Sequence, residues 1–466
     1  MLHKASLFSR LGAFLRSCLV WDKAFTKNVL ILALPMVLQE LMSASLHILD
    51  GRMVSGLGDA AYSAVMQANR FSFLFQLIVF GTSTGSAIFL SQHWGVRDVP
   101  RMRHAMGLAL GASSLLALLF AGTAMLFPRQ IISLFLEEGE SFELAVQFLP
   151  TVAPSYVFIA LSNVYASAIR AAEKTYIPMI AGISGIASNT LLNYLLIHGN
   201  LGFPAMGVKG AATATVIATA LTLGVNVAFA YGKKLPAGAK PRELFCRDRL
   251  FIIKFVNTVL PVIFNEALWA MGVTMYGIFY GRMGDAAVAA IGVNGTISEL
   301  MWVPVFGITN AAAIIVGKTI GQGDRDRAYL YSKRLLAGMT AVGLLIGLTM
   351  LVMHSPLVGL YEGLSQAVRD KATLLLIISS LLIWVRAFNC VIVVGLFRSG
   401  GDTVYSLALD AGSMWVIGVP ATAIAALVLH WPIELVFLCT MLDEVAKLFI
   451  GIPHFRKKKW MRVLTQ

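Results

Sequence analysis

The chain contains itself twice. Shifted by 226 positions, Leu34-Pro35 falls on Leu260-Pro261, Glu40 on Glu266, Ala44 on Ala270 and Gly51 on Gly277. The match continues with Gly58-Asp59-Ala60-Ala61 on Gly284-Asp285-Ala286-Ala287, and with Phe80-Gly81 on Phe306-Gly307. It closes with Gly95, Asp98 and Arg101 on Gly321, Asp324 and Arg327. Roughly 20 of about 68 positions from Leu34 to Arg101 agree without a gap, more than shared apolar composition gives. A period this long is not that of a solenoid, whose units run to about 20–50 residues. It requires two copies of one large bundle.

Composition decides the medium of that bundle. Of 466 residues, 58% are hydrophobic and 13% charged, whereas a soluble domain carries about 25% charged residues. Apolar stretches of the roughly 20 residues needed to cross hydrocarbon recur throughout. Twelve are read, at about 28–50, 62–90, 105–127, 144–169, 177–197, 209–231, 252–280, 287–316, 335–353, 371–396, 404–428 and 433–452. The expected fold is an all-α polytopic membrane protein with twelve transmembrane helices in two parallel six-helix repeats. An even number per half makes the repeats parallel, and duplicated bundles of this kind build secondary transporters around a central cleft.

The net charge of +13 is explained by insertion and not by nucleic acid. Lys and Arg crowd alternate connections: Lys23 and Lys27, Arg97 to Arg103, Lys233 to Arg249, Lys318 to Arg334 and Arg456 to Lys459. The opposite connections hold the acidic run Glu137-Glu138-Gly139-Glu140. By the positive-inside rule both termini are expected in the cytoplasm of a bacterial inner membrane. Residues 1–27 are expected to form an interfacial segment, Leu7, Phe8, Leu11, Phe14, Leu15 and Leu19 alternating with Arg10 and Arg16 at helical spacing. The amino lobe then covers 28–231, a basic linker 232–251, the carboxyl lobe 252–452 and a basic tail 453–466. Cys18, Cys246, Cys390 and Cys439 lack metal-ligand spacing. Neither a Walker A sequence nor any zincin or nucleophile-elbow motif is present, so no enzyme activity and no cofactor is expected.

Several motifs resemble the multidrug and toxic compound extrusion (MATE) family. They are the Leu-Pro pairs of spans one and seven, and the turns Gly56-Leu57-Gly58-Asp59 and Gly281-Arg282-Met283-Gly284-Asp285. The stretch Arg170 to Thr175 and its counterpart Arg398-Ser399-Gly400-Gly401-Asp402-Thr403 add to them. The likeness covers nearly the whole chain and leans towards the DinF-like bacterial branch. It implies a two-lobe antiporter that exports organic, usually cationic, compounds in exchange for H+ or Na+; H+ is expected here in preference because Asn193 leaves one acid fewer, and the chain is expected to act as a monomer with membrane lipid as its surroundings.

Charged groups inside spans cost several kcal/mol when ionised, so they face water, a partner or a substrate. In span one, Glu40, Ser43, His47 and Asp50 follow helical spacing along one face. The resemblance places the protonated acid at Asp50 and adds Asn163, Asn189 and Thr215; Asn193 stands where that pattern has a second acid. Glu40 and Glu266 are repeat mates whose carboxylates could exchange a cation for protons. Trp269 and Tyr276 are candidates for stacking on a cation. Glu299 and Asp410 complete the cleft candidates, with Arg386 and Arg70 expected as their counter-ions. Asp443 and Glu444 are expected to pair with Lys447 within span twelve. Two other readings compete: a flippase for lipid-linked precursors, which would want a more cationic cavity, and a non-transporting membrane sensor or scaffold.

Overall fold

The computed structural model describes residues 22–361 and 363–465, including every side chain of these except those of 46–49. The expected interfacial segment and Cys18 lie outside the described residues, as does the side chain of His47. Among the described residues the chain is helical, with no strand.

The amino half holds α1 (Lys23–Ser55), α2 (Asp59–Gly95), α3 (Val99–Leu126), α4 (Glu140–Val152), α5 (Pro154–Ala171), α6 (Tyr176–His198) and α7 (Val208–Gly232). The carboxyl half opens with α8 (Arg249–Gly281), α9 (Asp285–Gly321) and α10 (Arg325–Gly359). It continues with α11 (Gln366–Arg398), α12 (Thr403–Val428), α13 (Ile433–Thr440) and α14 (Leu442–Arg456).

The repeat is written into the helix ends. The starts of α1, α2 and α3 and the starts of α8, α9 and α10 are all 226 residues apart, and α1 and α8 are each 33 residues long. Gly58 and Gly284 precede α2 and α9 with φ of 102° and 97°, a conformation open almost only to glycine. Asp98 and Asp324 cap α3 and α10 through the backbone N–H groups of Arg101 and Arg327, at 3.1 and 3.0 Å. Each cap satisfies a helix-end donor that would otherwise lack a partner.

Ten helices among the described residues are long and apolar enough to cross a membrane. The pair α4 and α5, bent by 46° where Pro154 follows Ala153, makes an eleventh when counted as one span. The twelfth expected span, 433–452, is occupied by two consecutive shorter helices, α13 and α14, separated at Met441. Helices α11 and α12 contain widened π turns at Val391–Arg398, Met414–Gly418 and Ile424–Val428. The second of these lies just before Pro420, which has no N–H to give to the preceding turn.

Two compact units are present. One comprises residues 38–263; the other comprises 1–37 together with 264–466. The boundaries therefore run through α1 and α8, two residues past Pro35 and Pro261. In the first unit Phe75, Phe148 and Tyr156 pack with Ala64, Ala68, Ala145 and Ala160, small residues that let helices approach where lipid gives no hydrophobic drive. Residues 249–263 belong to this core: Phe89 lies 5.7 Å from Phe251 and 5.2 Å from Phe255. Within the other unit the start of α1 packs on α10, with Phe25 stacked on Tyr331 at 4.6 Å and Asp22 bonded to Arg334 at 2.7 Å.

Candidate functional site

Each unit contains a polar network among its spans, and the two differ in charge.

In the unit formed by 38–263, Asn189 and Asn193 sit one turn apart on α6 and face the lower half of the polar stripe on α1. The Asn193 amide donates to Asp50 Oδ1 at 2.8 Å and to Asn189 Oδ1 at 3.0 Å. Asn189 in turn donates to Thr215 Oγ1 on α7 at 3.5 Å, and Thr215 spends its own proton on the Ala211 carbonyl at 3.0 Å. Donation thus runs outward from the Asn193 amide, one way to the Asp50 carboxylate and the other through Asn189 and Thr215 to the Ala211 carbonyl. Asp50 makes no ion pair among the described residues. Asn163 takes no part in this run; beside it, Asn226 donates to Ser162 at 3.1 Å.

Glu40, ten residues earlier on α1, has Arg170 at the end of α5 as its electrostatic neighbour. The resemblance to Glu266 extends to that partner. In the other unit, Arg398 at the end of α11 holds Glu266 Oε1 at 2.6 Å. Glu40 and Glu266, the repeat mates expected to exchange a cation for protons, therefore each have an arginine neighbour. The sequence motifs already contained both arginines, at corresponding places in the two lobes.

The second network is denser. Lys447 Nζ lies 2.9 Å from Asp410, 3.1 Å from Asp443 and 3.2 Å from Glu444. Arg398 approaches Asp410 at 4.0 Å while paired with Glu266. Asn265 donates to Asp410 at 2.9 Å, and Asn389 donates to Glu444 at 2.8 Å. The counter-ions of Asp410 are thus Lys447 and Arg398, not Arg386 or Arg70. Arg386 instead lies over the Trp302 ring, 4.8 Å from its centre. Lys447 does pair within α14 as spacing suggested, but it also reaches α12, which spacing along one helix cannot reveal.

Local structure explains the convergence. The π turn at Val391–Arg398 ends on Arg398, and the break at Met441 puts Asp443 and Glu444 in the first turn of α14. Carboxylates are favoured there by the helix dipole. Tyr276 on α8 borders the network: its hydroxyl abuts Gly418 beside Asp443 and has no hydrogen-bond partner among the described residues. Trp269 is half-buried and Glu299 exposed; neither joins it. With Lys447 in place among these carboxylates, no group of three or more His, Cys, Asp or Glu side chains among the described residues could hold a metal ion.

Comparison with known proteins follows the same division. The MatE family model matches residues 35–195 and 261–440, two blocks that start 226 residues apart. A probable multidrug resistance protein NorM from Thermotoga maritima is 21% identical over 452 residues, 94% of each chain. Another of that name from Bradyrhizobium diazoefficiens is 26% identical over 406 residues, 85% of each. A mutant of the Vibrio cholerae MATE transporter VcmN is similar in fold, with a TM-score of 0.83 and 18% identity over 92% of this chain and 96% of that one. With the family match on both copies of its repeat, this multi-pass membrane chain belongs to the MATE family of multidrug efflux transporters.

Proposed function

We propose that the protein is a secondary antiporter that exports amphiphilic organic cations in exchange for H+, in preference to Na+, by rocking of its two lobes. It would work as a monomer without a cofactor, in a bacterial inner membrane with both termini in the cytoplasm. The charge asymmetry of the connections supports that orientation, and the names of the curated relatives support the substrate class.

The observation that carries the reading is the solitary carboxylate of Asp50, held at 2.8 Å by Asn193 and backed by Asn189. Na+ is favoured by several hard oxygen ligands carrying negative charge. Here the second acid of the family pattern is an amide whose nitrogen, not its oxygen, points at Asp50. A lone, partly buried carboxylate without a basic partner among the described residues suits a proton instead. The resemblance to the DinF-like branch implies protonation at Asp50, and Asn193 is where this chain departs from its pattern. The flippase reading wants buried bases in excess, whereas Arg398 and Lys447 sit among Glu266, Asp410, Asp443 and Glu444.

The test is efflux of ethidium from proteoliposomes under an imposed ΔpH or ΔNa+. Efflux should follow ΔpH and fall at least tenfold in Asp50→Asn with the protein still folded. Efflux driven by ΔNa+ alone, or full activity in that variant, would overturn the reading.

A further inference from the structure

The carboxyl-lobe network has an excess of acceptors. Four carboxylates, on Glu266, Asp410, Asp443 and Glu444, meet two bases, Arg398 and Lys447. The amides of Asn265 and Asn389 have their orientation fixed by their donors, which are spent on Asp410 and Glu444. Their carbonyl oxygens are buried with no hydrogen-bond partner among the described residues, although the two side chains are only 2% and 3% exposed. Asn389 Nδ2 also holds the backbone carbonyl of Glu444 at 2.7 Å, so that amide is doubly anchored. Four carboxylates against two bases make an oxygen-rich cage, the environment a hard cation requires.

One atom sits at its centre. Lys447 Nζ touches carboxylates from α12 and α14 at 2.9, 3.1 and 3.2 Å, and Lys447 is 2% exposed. A lysine ammonium is a compact point charge on a flexible stem, and here it takes the coordination that a small monovalent cation would take.

We infer that Lys447 is a tethered cation: its ammonium occupies a carboxylate cage that, without it, is a binding site for a Na+-sized ion. Lys447 is thereby a specificity-determining residue, which keeps Na+ out of the carboxyl lobe. The inference deepens the proposed H+ coupling and rests on it for its consequence in transport. The cage itself does not depend on that reading.

Three features confine the vacant site to this place once the lysine is removed. Asp410 remains anchored by Asn265, Glu444 by Asn389, and Glu266 by Arg398. Asp443 and Glu444 each lose their one basic partner, so the ion would be held by these two with the freed oxygen of Asp410. Arg398 cannot replace the lysine there while its guanidinium holds Glu266 at 2.6 Å.

The experiment compares thermal unfolding of purified, detergent-solubilised protein in NaCl and in N-methylglucamine chloride at equal ionic strength. The wild type should melt at the same temperature in both. Lys447→Met should melt lower in N-methylglucamine and gain about 3 °C in NaCl, the shift for Na+ at roughly a hundredfold above the site's Kd in a chain of this size. Lys447→Arg, which keeps the charge, should be indifferent to Na+. Should Lys447→Met fail to fold, Lys447→Met/Asp443→Asn removes one stranded carboxylate and should show a smaller Na+-specific gain. No Na+-specific shift in either lysine-free variant, or an equal shift in the wild type, overturns the inference. Ethidium efflux that is stimulated by Na+ in Lys447→Met, and not in the wild type, extends it to transport. Melting and efflux are separate readouts, so loss of ΔpH-driven efflux in the wild type would refute H+ coupling and leave the cage standing.

Discussion

At the scale of single residues, buried charge is tolerable only when it is answered. Arg398 is 3% exposed and holds Glu266 at 2.6 Å. Removing one partner of such a pair leaves the other uncompensated, at a cost of about 3–5 kcal/mol. Arg398→Ala should therefore lose that much in an unfolding titration, while Arg398→Met/Glu266→Leu should recover most of it. A small recovery would mean that Arg398 is held chiefly by Asp410. Asp22, outside the spans, answers to a different solvent. The N–H of Phe25 and then the Arg334 guanidinium, both at 2.7 Å, hold its carboxyl below the ordinary range. Its contribution is complete above the unfolded value of 3.8 and is lost as pH falls through the lower folded value. Asp22→Asn should accordingly lower stability above that window and make no difference below it, as read by unfolding titrations at neutral and at acid pH. Much of the amino-lobe network was legible, because Asn189 and Asn193 share a face by helical spacing alone. The pairing of Glu266 with Arg398 was not, since 132 residues separate them and no periodicity along one helix joins residues on two. Lys447 was read halfway for the same reason: its partners on α14 follow from spacing, its partner on α12 does not.

For whole elements, the sequence is most explicit where helices begin. Gly58 and Gly284 adopt φ of 102° and 97°, so an added Cβ should cost about 1–3 kcal/mol at either place. Open space surrounds both Cβ positions, so the cost is backbone strain alone. Gly58→Ala and Gly284→Ala should lower the unfolding temperature by similar amounts, and unequal effects would show that the two turns no longer do the same job. Turns of this kind are readable because glycine followed by aspartate has few other uses. The break between α13 and α14 was unreadable by the same logic. Cys439 to Asp443 contains neither proline nor glycine, and the chain steps there with Thr440 bonded to the Phe437 carbonyl at 2.7 Å. The basic tail is a third element whose structure exceeds its composition. Arg462 reaches the buried Asp402 at 2.6 Å, His454 meets the same carboxylate at 2.8 Å, and Trp460 is fully buried against Phe455 and Phe397. Charge alone predicts a solvated tail; the single tryptophan is what ties it down. Trp460→Ala should cost about 3–5 kcal/mol, measured as a lower melting temperature, whereas Lys459→Ala should cost little.

Across the whole molecule, the duplication visible in sequence and the cores visible in structure are not cut at the same places. The sequence repeat opens before Pro35 and Pro261, yet the compact units change over at Val37/Leu38 and Ile263/Phe264. The opening turns of α1 pack with residues 264–466, as Phe25 on Tyr331 shows, and the opening turns of α8 pack with 38–248, as Phe251 and Phe255 on Phe89 show. Each copy of the ancestral bundle has lent its first segment to the other's core. In the language of heredity, the two copies are no longer separable alleles of one design but a heterozygote locked into a single gene. Phe25 and Tyr331 meet in one core although they come from different copies, so a crossover that replaced either copy with its sister should unmake both cores.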